Sequence, residues 1–262
     1  MSEGEVTMGE ETMLDKTTLN QLHDLHLHTL AATLNTQQDQ PEVLSLSFEE
    51  RLGILVEAEW MKRRENRIDR IIRQAQFRFS AVVEDIEYHG KQGITKKDIQ
   101  KLCDCAFIRK KQNILLSGPT GVGKTYLACA LGRSACYQCY SVRYIRTNDL
   151  FLELADARME GKYSAYRKNL SRVSMLILDD WGMRSFTDDE SHEILELMEM
   201  RYQASSTVIV SQPPYSEWHQ LFPDPTLADA VLDRIIHNSY KFNIIGESMR
   251  KTLAEKDFDR ES

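Results

Sequence analysis

Apolar residues recur along this chain in two different rhythms, and the change between them divides it. From Thr17 to Leu34, the residues Leu19, Leu22, Leu25, Leu30 and Leu34 return at roughly helical spacing, which predicts one amphipathic helix before a polar break from Gln37 to Pro41. Ser47 stands three residues before Glu50, a pairing in which each side chain satisfies the other residue's free amide at a helix start. The helical pattern it opens runs to about Arg73. Further on, short apolar runs alternate with helical stretches. Asn113 to Ser117, Val142 to Ile145, Met175 to Leu178, Thr207 to Val210 and Lys241 to Ile245 read as strands. Helices are expected after the first strand, from Asn148 to about Glu160, after the Thr187/Glu190 cap, and from Leu227 to His237. Strand and helix in alternation imply an α/β fold with a parallel sheet.

A chain of 262 residues can bury a full α/β domain beside a smaller region. Three segments are expected: an acidic, aperiodic and disordered leader over residues 1–16, with Met13 as an alternative start; a helical region over 17–108; and the α/β domain over 109–262. The formal charge of -7 arises mostly at the front, where residues 1–50 hold 10 Asp/Glu against Lys16 alone. Residues 51–111 carry 15 Lys/Arg and 9 Asp/Glu, so a polyanion is expected there despite the acidic total. In that stretch Arg63, Arg67 and Arg70 share a helix face, with Arg64 adjacent. They read either as phosphate contacts or as a solvated face paired with Glu57, Glu59, Glu65 and Asp69. Lys162, Arg167, Lys168 and Arg172, with Tyr163 and Tyr166 among them, suit a nucleic-acid backbone as well as they suit a plain helix surface.

No run approaches the ~20 apolar residues that cross a bilayer, and the first residues lack an export signal's basic and apolar regions. A cytoplasmic protein without membrane contact is expected. The C-x-C and C-x-x-C spacings of Cys103, Cys105, Cys136 and Cys139 invite zinc, but Cys129 and Cys136 fall on or just after a helix where small thiols pack well. His23, His26 and His28 would not share one face of a single helix, which argues against a metal there.

The chemistry is concentrated in Gly118, Pro119, Thr120, Gly121, Val122, Gly123, Lys124 and Thr125, the phosphate-cradling P-loop pattern placed directly after an apolar strand. Its glycines let backbone amides close around phosphate oxygens, and the helix that follows presents its positive end. Lys124 is then expected to neutralise β/γ-phosphate charge and Thr125 to ligate Mg²⁺, with ATP as the nucleotide. Met175 to Leu178 runs into Asp179 and Asp180, and Trp181-Gly182 is expected to break the strand. A carboxylate at that strand end serves the metal and its neighbour orients the attacking water, so Asp179 and Asp180 take those roles in order. Gln212, after the strand Thr207 to Val210, is the candidate γ-phosphate sensor. Arg234 projects from the apolar stripe Ala228, Val231, Leu232 and Ile235, and Arg250 follows the last strand.

The series GPTGVGKT, LILDDWG, VSQPP, LADAVLDRIIHN and GESMRK, with RLGILVEAEW before it, resembles the IstB family of helper ATPases of insertion-sequence transposition over about residues 17 to 252. That family is kin to AAA+ initiators and helicase loaders such as DnaC. The resemblance implies an AAA+ P-loop core, a parallel sheet flanked by helices, with an N-terminal all-helical DNA-binding region. It implies an ATP-dependent homo-oligomer on duplex DNA that stimulates an IstA-like transposase, with Arg234 as a finger acting on a neighbouring subunit and Arg250 as a second sensor. Two departures stand out. Asp180 replaces the glutamate usual in AAA+ proteins, so slow hydrolysis is expected. The chain also ends soon after Arg250, so no separate helical lid is expected. A DnaC-like helicase loader would share these motor motifs, and a small-molecule kinase would share the P-loop.

Overall fold

The computed structural model describes residues 16–86 and 92–246, and its contacts divide the chain into two units at Arg67/Ile68. In the first unit, α1 (Lys16–Asp24), α2 (His28–Gln38) and α3 (Pro41–Leu44) precede α4 (Phe48–Ala75), in which the dividing point falls. The single helix expected from Thr17 to Leu34 is two. His26 takes a left-handed φ of 56°, its amide bonds to His23 O at 2.9 Å and the Leu27 amide to Leu22 O at 2.8 Å. This pair of bonds satisfies the last carbonyls of α1 and ends it, although the leucine spacing continues past the stop. The break also brings His23 and His28 together, ring centroids 5.1 Å apart, which a single helix would not do. Among the described residues no cluster of His, Cys, Asp and Glu has the geometry to hold a metal. The Ser47/Glu50 cap of α4 is present, with the Ser47 amide 2.9 Å from Glu50 Oε2. Half-way along this helix Glu59 is buried, accepting from the Leu30 amide at 3.0 Å and from Arg63 Nε at 2.7 Å. Burial opposes its ionisation, but those two donors hold its carboxyl below the usual range.

In the second unit, α5 (Lys96–Cys103) and α6 (Ala106–Arg109) lead into alternating elements: β1 (Asn113–Ser117), α7 (Lys124–Tyr137), β2 (Val142–Arg146), α8 (Thr147–Met159), α9 (Tyr163–Arg172), β3 (Met175–Trp181), α10 (Asp188–Arg201), β4 (Ser206–Ser211), α11 (Pro225–Ile236) and β5 (Ser239–Asn243). The sheet is five-stranded, in the order β2-β3-β4-β1-β5, and every pairing in it is parallel. Its strands carry apolar residues on both faces because helices cover both. Ile114, Leu116, Ile177, Val208 and Val210 pack with α5, α6 and α7, while Leu115, Leu176, Leu178 and Ile209 pack with the helices α8 to α11. The division at Arg67/Ile68 lies well before the boundary expected near residue 108. Ile71, Ala81, Ile94 and Ile99 bury their side chains in the same core as β1, so these residues pack with the sheet.

Two strand ends also differ from expectation. β5 begins two residues earlier, at Ser239, paired with Asn113, while Ile245 makes an isolated antiparallel bridge with Gln92. β3 runs on through both acids to Trp181, accommodated by a register shift against β4 between Leu178 and Trp181. Three buried thiols, Cys105, Cys129 and Cys136, fill the core as small apolar groups, burial pushing Cys105 up to about 11 and Cys136 up to about 12. No described helix is long and apolar enough to cross a membrane.

Candidate functional site

The strand order places β1 between β4 and β5 with β3 one strand further, so the C-terminal ends of β1, β3 and β4 open into one cleft of about 400 Å³. Gly118 turns the chain out of β1 with φ 141°, and a Cβ there would lie 2.0 Å from the Ile244 carbonyl oxygen. Only glycine passes that close to the chain after β5. Gly123, at φ 92°, ends the loop in a left-handed turn that starts α7, so the helix axis begins at the cleft.

Lys124, the first residue of α7, is buried, and its ammonium donates to Gly118 O and Pro119 O, each at 2.7 Å. Burial lowers its pKa, against the opposing pull of Asp179 and Asp180. The lysine thus lies folded along the loop whose amides would face phosphate. Thr125 Oγ1 lies 3.2 Å from Asp179 Oδ1. The hydroxyl and carboxylate converge as hard oxygen donors, a set suited to Mg²⁺, beside the glycine turn.

Asp179 is 1% exposed and held on several sides. Its Oδ1 accepts from the Asp180 amide at 2.9 Å, its Oδ2 accepts from the Tyr144 hydroxyl at 2.7 Å with Arg78 Nη1 at 3.9 Å, and its carbonyl accepts from Thr147 Oγ1 at 2.9 Å. Asp180 adopts a left-handed φ of 56°, which re-aims its carboxylate toward Arg146 Nε at 3.7 Å. Burial, followed by the neighbouring Asp179 charge, raises its pKa. Gln212 lines the same cleft just after β4. Phe79 and Tyr126 line it too, ring centroids 6.4 Å apart.

The eight loop residues, Asp179, Asp180 and Gln212 therefore gather at one end of the sheet. Arg234 does not join them. Its carbonyl lies 3.4 Å from Asn113 Nδ2, at the opposite end of β1, and its guanidinium binds Ala230 O at 2.6 Å and Glu199 Oε1 at 2.7 Å. Arg250 lies outside the described residues. Of the basic residues, Arg63 is tied to Glu59 and His26 O, Arg64 lies over Trp60 at 5.6 Å, and Arg67 and Arg70 are exposed. Lys162 pairs with Glu160 at 2.8 Å, Arg167 pairs with Glu196 and lies over Tyr163, and Lys168 is exposed. The Tyr163 hydroxyl is bound to Glu193 and the Tyr166 hydroxyl to Glu153, so neither ring edge is a free donor.

Sequence reasoning passed over Tyr144, Arg146, Thr147 and Arg78. The first three end β2 and start α8, and a polar cluster at the end of a strand beside β3 was a usable signal once the strand order was known. Nothing near Arg78 in the sequence marks it.

A family model described as IstB-like ATP binding protein matches residues 20–256. An insertion sequence ATP-binding protein of Sinorhizobium fredii is 39% identical over 244 residues, covering 93% of this chain and 100% of that protein. The insertion sequence IS21 ATP-binding protein of Pseudomonas aeruginosa is 31% identical over 235 residues, covering 90% of this chain and 88% of the relative. Among solved structures, DnaI superposes with a TM-score of 0.53 at 18% identity over 68% of this chain and 94% of that one. AMPPCP-bound DnaA from Aquifex aeolicus gives 0.52 at 17% identity over 71% of this chain and 56% of that one. At those identities the likeness concerns the fold alone, a parallel sheet flanked by helices, as the sequence resemblance implied.

Proposed function

This chain belongs to the IstB-like ATP-binding protein family, and we propose that it is a DNA-dependent ATPase of insertion-sequence transposition, assembling with ATP on duplex target DNA in the cytoplasm and handing that site to a transposase. The observation that carries the ATPase part is the convergence of Lys124, Thr125, Asp179 and Asp180 on a glycine turn at one cleft. The curated relatives, named for insertion sequences, favour the transposition role over helicase loading.

On ATP binding, Lys124 leaves the Gly118 and Pro119 carbonyls and pairs with β/γ-phosphate oxygens, while loop amides take the remaining phosphate charge. Thr125 and Asp179 would hold Mg²⁺, which neutralises phosphate charge and orients the phosphoryl group. Asp180 positions water for attack, one methylene shorter than glutamate, so turnover is slow. Gln212 reads the γ-phosphate from the end of β4. Arg234, remote from the cleft of its own chain, acts on the nucleotide of a neighbouring subunit. Arg250 serves as the second sensor. Arg63, Arg64, Arg67, Arg70, Lys162, Arg167 and Lys168 are the proposed phosphate contacts, giving affinity with little sequence preference.

Sedimentation with duplex DNA in ATP plus Mg²⁺, in ADP plus Mg²⁺, and for Lys124→Ala tests this directly. Large DNA-bound assemblies only with ATP and intact Lys124 are expected. A monomer indifferent to duplex DNA would point instead to a helicase loader, or to a monomeric kinase if it phosphorylates a metabolite.

A further inference from the structure

The two carboxylate oxygens of Asp179 have different surroundings. Oδ1 faces the Thr125 hydroxyl at 3.2 Å and the Asp180 amide at 2.9 Å, on the side of the nucleotide cleft. Oδ2 is turned away from Thr125 and accepts the Tyr144 hydroxyl at 2.7 Å. Tyr144 belongs to β2, where its neighbour in register is Ile177 and where Arg146 pairs with Asp179 itself, so the hydroxyl reaches the carboxylate from the adjacent strand. Tyr144 is 7% exposed, its ring packed in the core that includes Leu127 and Ile177. A buried ring with no room to turn fixes its hydroxyl in space. Thr147 fastens the same strand end to the Asp179 carbonyl at 2.9 Å.

We infer that Tyr144 is the positioning residue of the Mg²⁺ site, its hydroxyl holding Asp179 Oδ2 so that Oδ1 stays aimed at the metal position beside Thr125. This rests on the ATP and Mg²⁺ reading of the cleft. Acting through Asp179, Tyr144 touches neither nucleotide nor metal. Without the hydroxyl the carboxylate loses its one short bond to Oδ2, keeping there only Arg78 Nη1 at 3.9 Å beside the Asp180 amide on Oδ1, so its aim loosens and metal affinity falls while the glycine turn and Lys124 are untouched. Outer-shell hydrogen-bond partners of this kind typically contribute about 10- to 100-fold in metal affinity.

The test is Tyr144→Phe, which keeps the ring and removes one oxygen. A fluorescent ATP analogue is titrated into wild type and variant, first in EDTA and then over a Mg²⁺ series. The expected result is an unchanged affinity in EDTA, a Mg²⁺ half-saturation raised about 10- to 100-fold, hydrolysis recovering at high Mg²⁺, and a melting temperature within a few degrees of wild type. An unchanged Mg²⁺ requirement overturns the inference, as does an equal loss of affinity in EDTA or a large drop in melting temperature, since either marks a structural role alone. Failure of the wild-type protein to bind the analogue overturns the ATP reading itself, and this inference with it; Lys124→Ala is the control separating the two cases.

Discussion

Arg201 is 2% exposed at the end of α10, and every hydrogen bond its guanidinium makes goes to a neutral oxygen. It donates to Leu170 O at 2.7 Å, Ser171 O at 3.4 Å, Val173 O at 3.0 Å, Thr207 Oγ1 at 3.0 Å and Ser206 O. Burial pushes it down to about 9, which leaves it charged at neutral pH. The planar fork thus clamps the C-terminal carbonyls of α9 to the first residues of β4, two segments joined by nothing in the sequence. In Arg201→Met the volume is kept. The Leu170, Val173 and Ser206 carbonyls then lose their charged donor, at about 1–3 kcal/mol each. Removing a buried charge also relieves its desolvation, which offsets part of this loss. The net destabilisation expected is about 3–5 kcal/mol. For a unit of this size that lowers the melting temperature by about 6–20 °C. Arg201→Lys, with three donors and no fork, should fall between. The assay is urea unfolding followed by tryptophan fluorescence, since Trp181 and Trp218 are both fully buried in this unit whereas Trp60 is exposed. An Arg201→Met protein within about 1 kcal/mol of wild type, or more stable, would mean that desolvation outweighs the five hydrogen bonds and would refute the reasoning.

Two further substitutions test the site. In Arg234→Ala, the lost Glu199 pair is partly exposed, 27% and 49% for the two side chains, so stability should change by less than about 1 kcal/mol. Nucleotide affinity should hold while DNA-stimulated hydrolysis falls about 10³-fold or more, and retained turnover would remove Arg234 from the proposed interface role. Gly118→Ala would place a Cβ 2.0 Å from Ile244 O at φ 141°. Backbone strain of about 1–3 kcal/mol should weaken binding of a fluorescent ATP analogue by about 10- to 100-fold, and equal affinity would show that the turn relaxes freely.

The local features of this chain were legible because they depend on neighbours in sequence. The helix caps at Ser47/Glu50 and Thr187/Glu190 follow from hydrogen bonds spanning three residues, and the strand and the loop after it show in a contiguous apolar run and in the spacing of the glycines. The resemblance carried the AAA+ core further, because motif order restricts strand order. Contacts between distant segments were not legible. The stop at His26 turns on a left-handed backbone position that leucine spacing does not register. The membership of residues 68–86 and 92–108 in the sheet core rests on burial against strands that follow them in sequence. Tyr144 reaches Asp179 only because β2 lies beside β3, and Arg234 stands apart from the cleft because α11 finishes at the opposite end of the strands, beside the start of β1. Sequence alone determined which chemistry the chain carries. Which groups aim that chemistry was decided by strand order, since a hydroxyl or guanidinium acts over about 3 Å on whatever the packing brings to it.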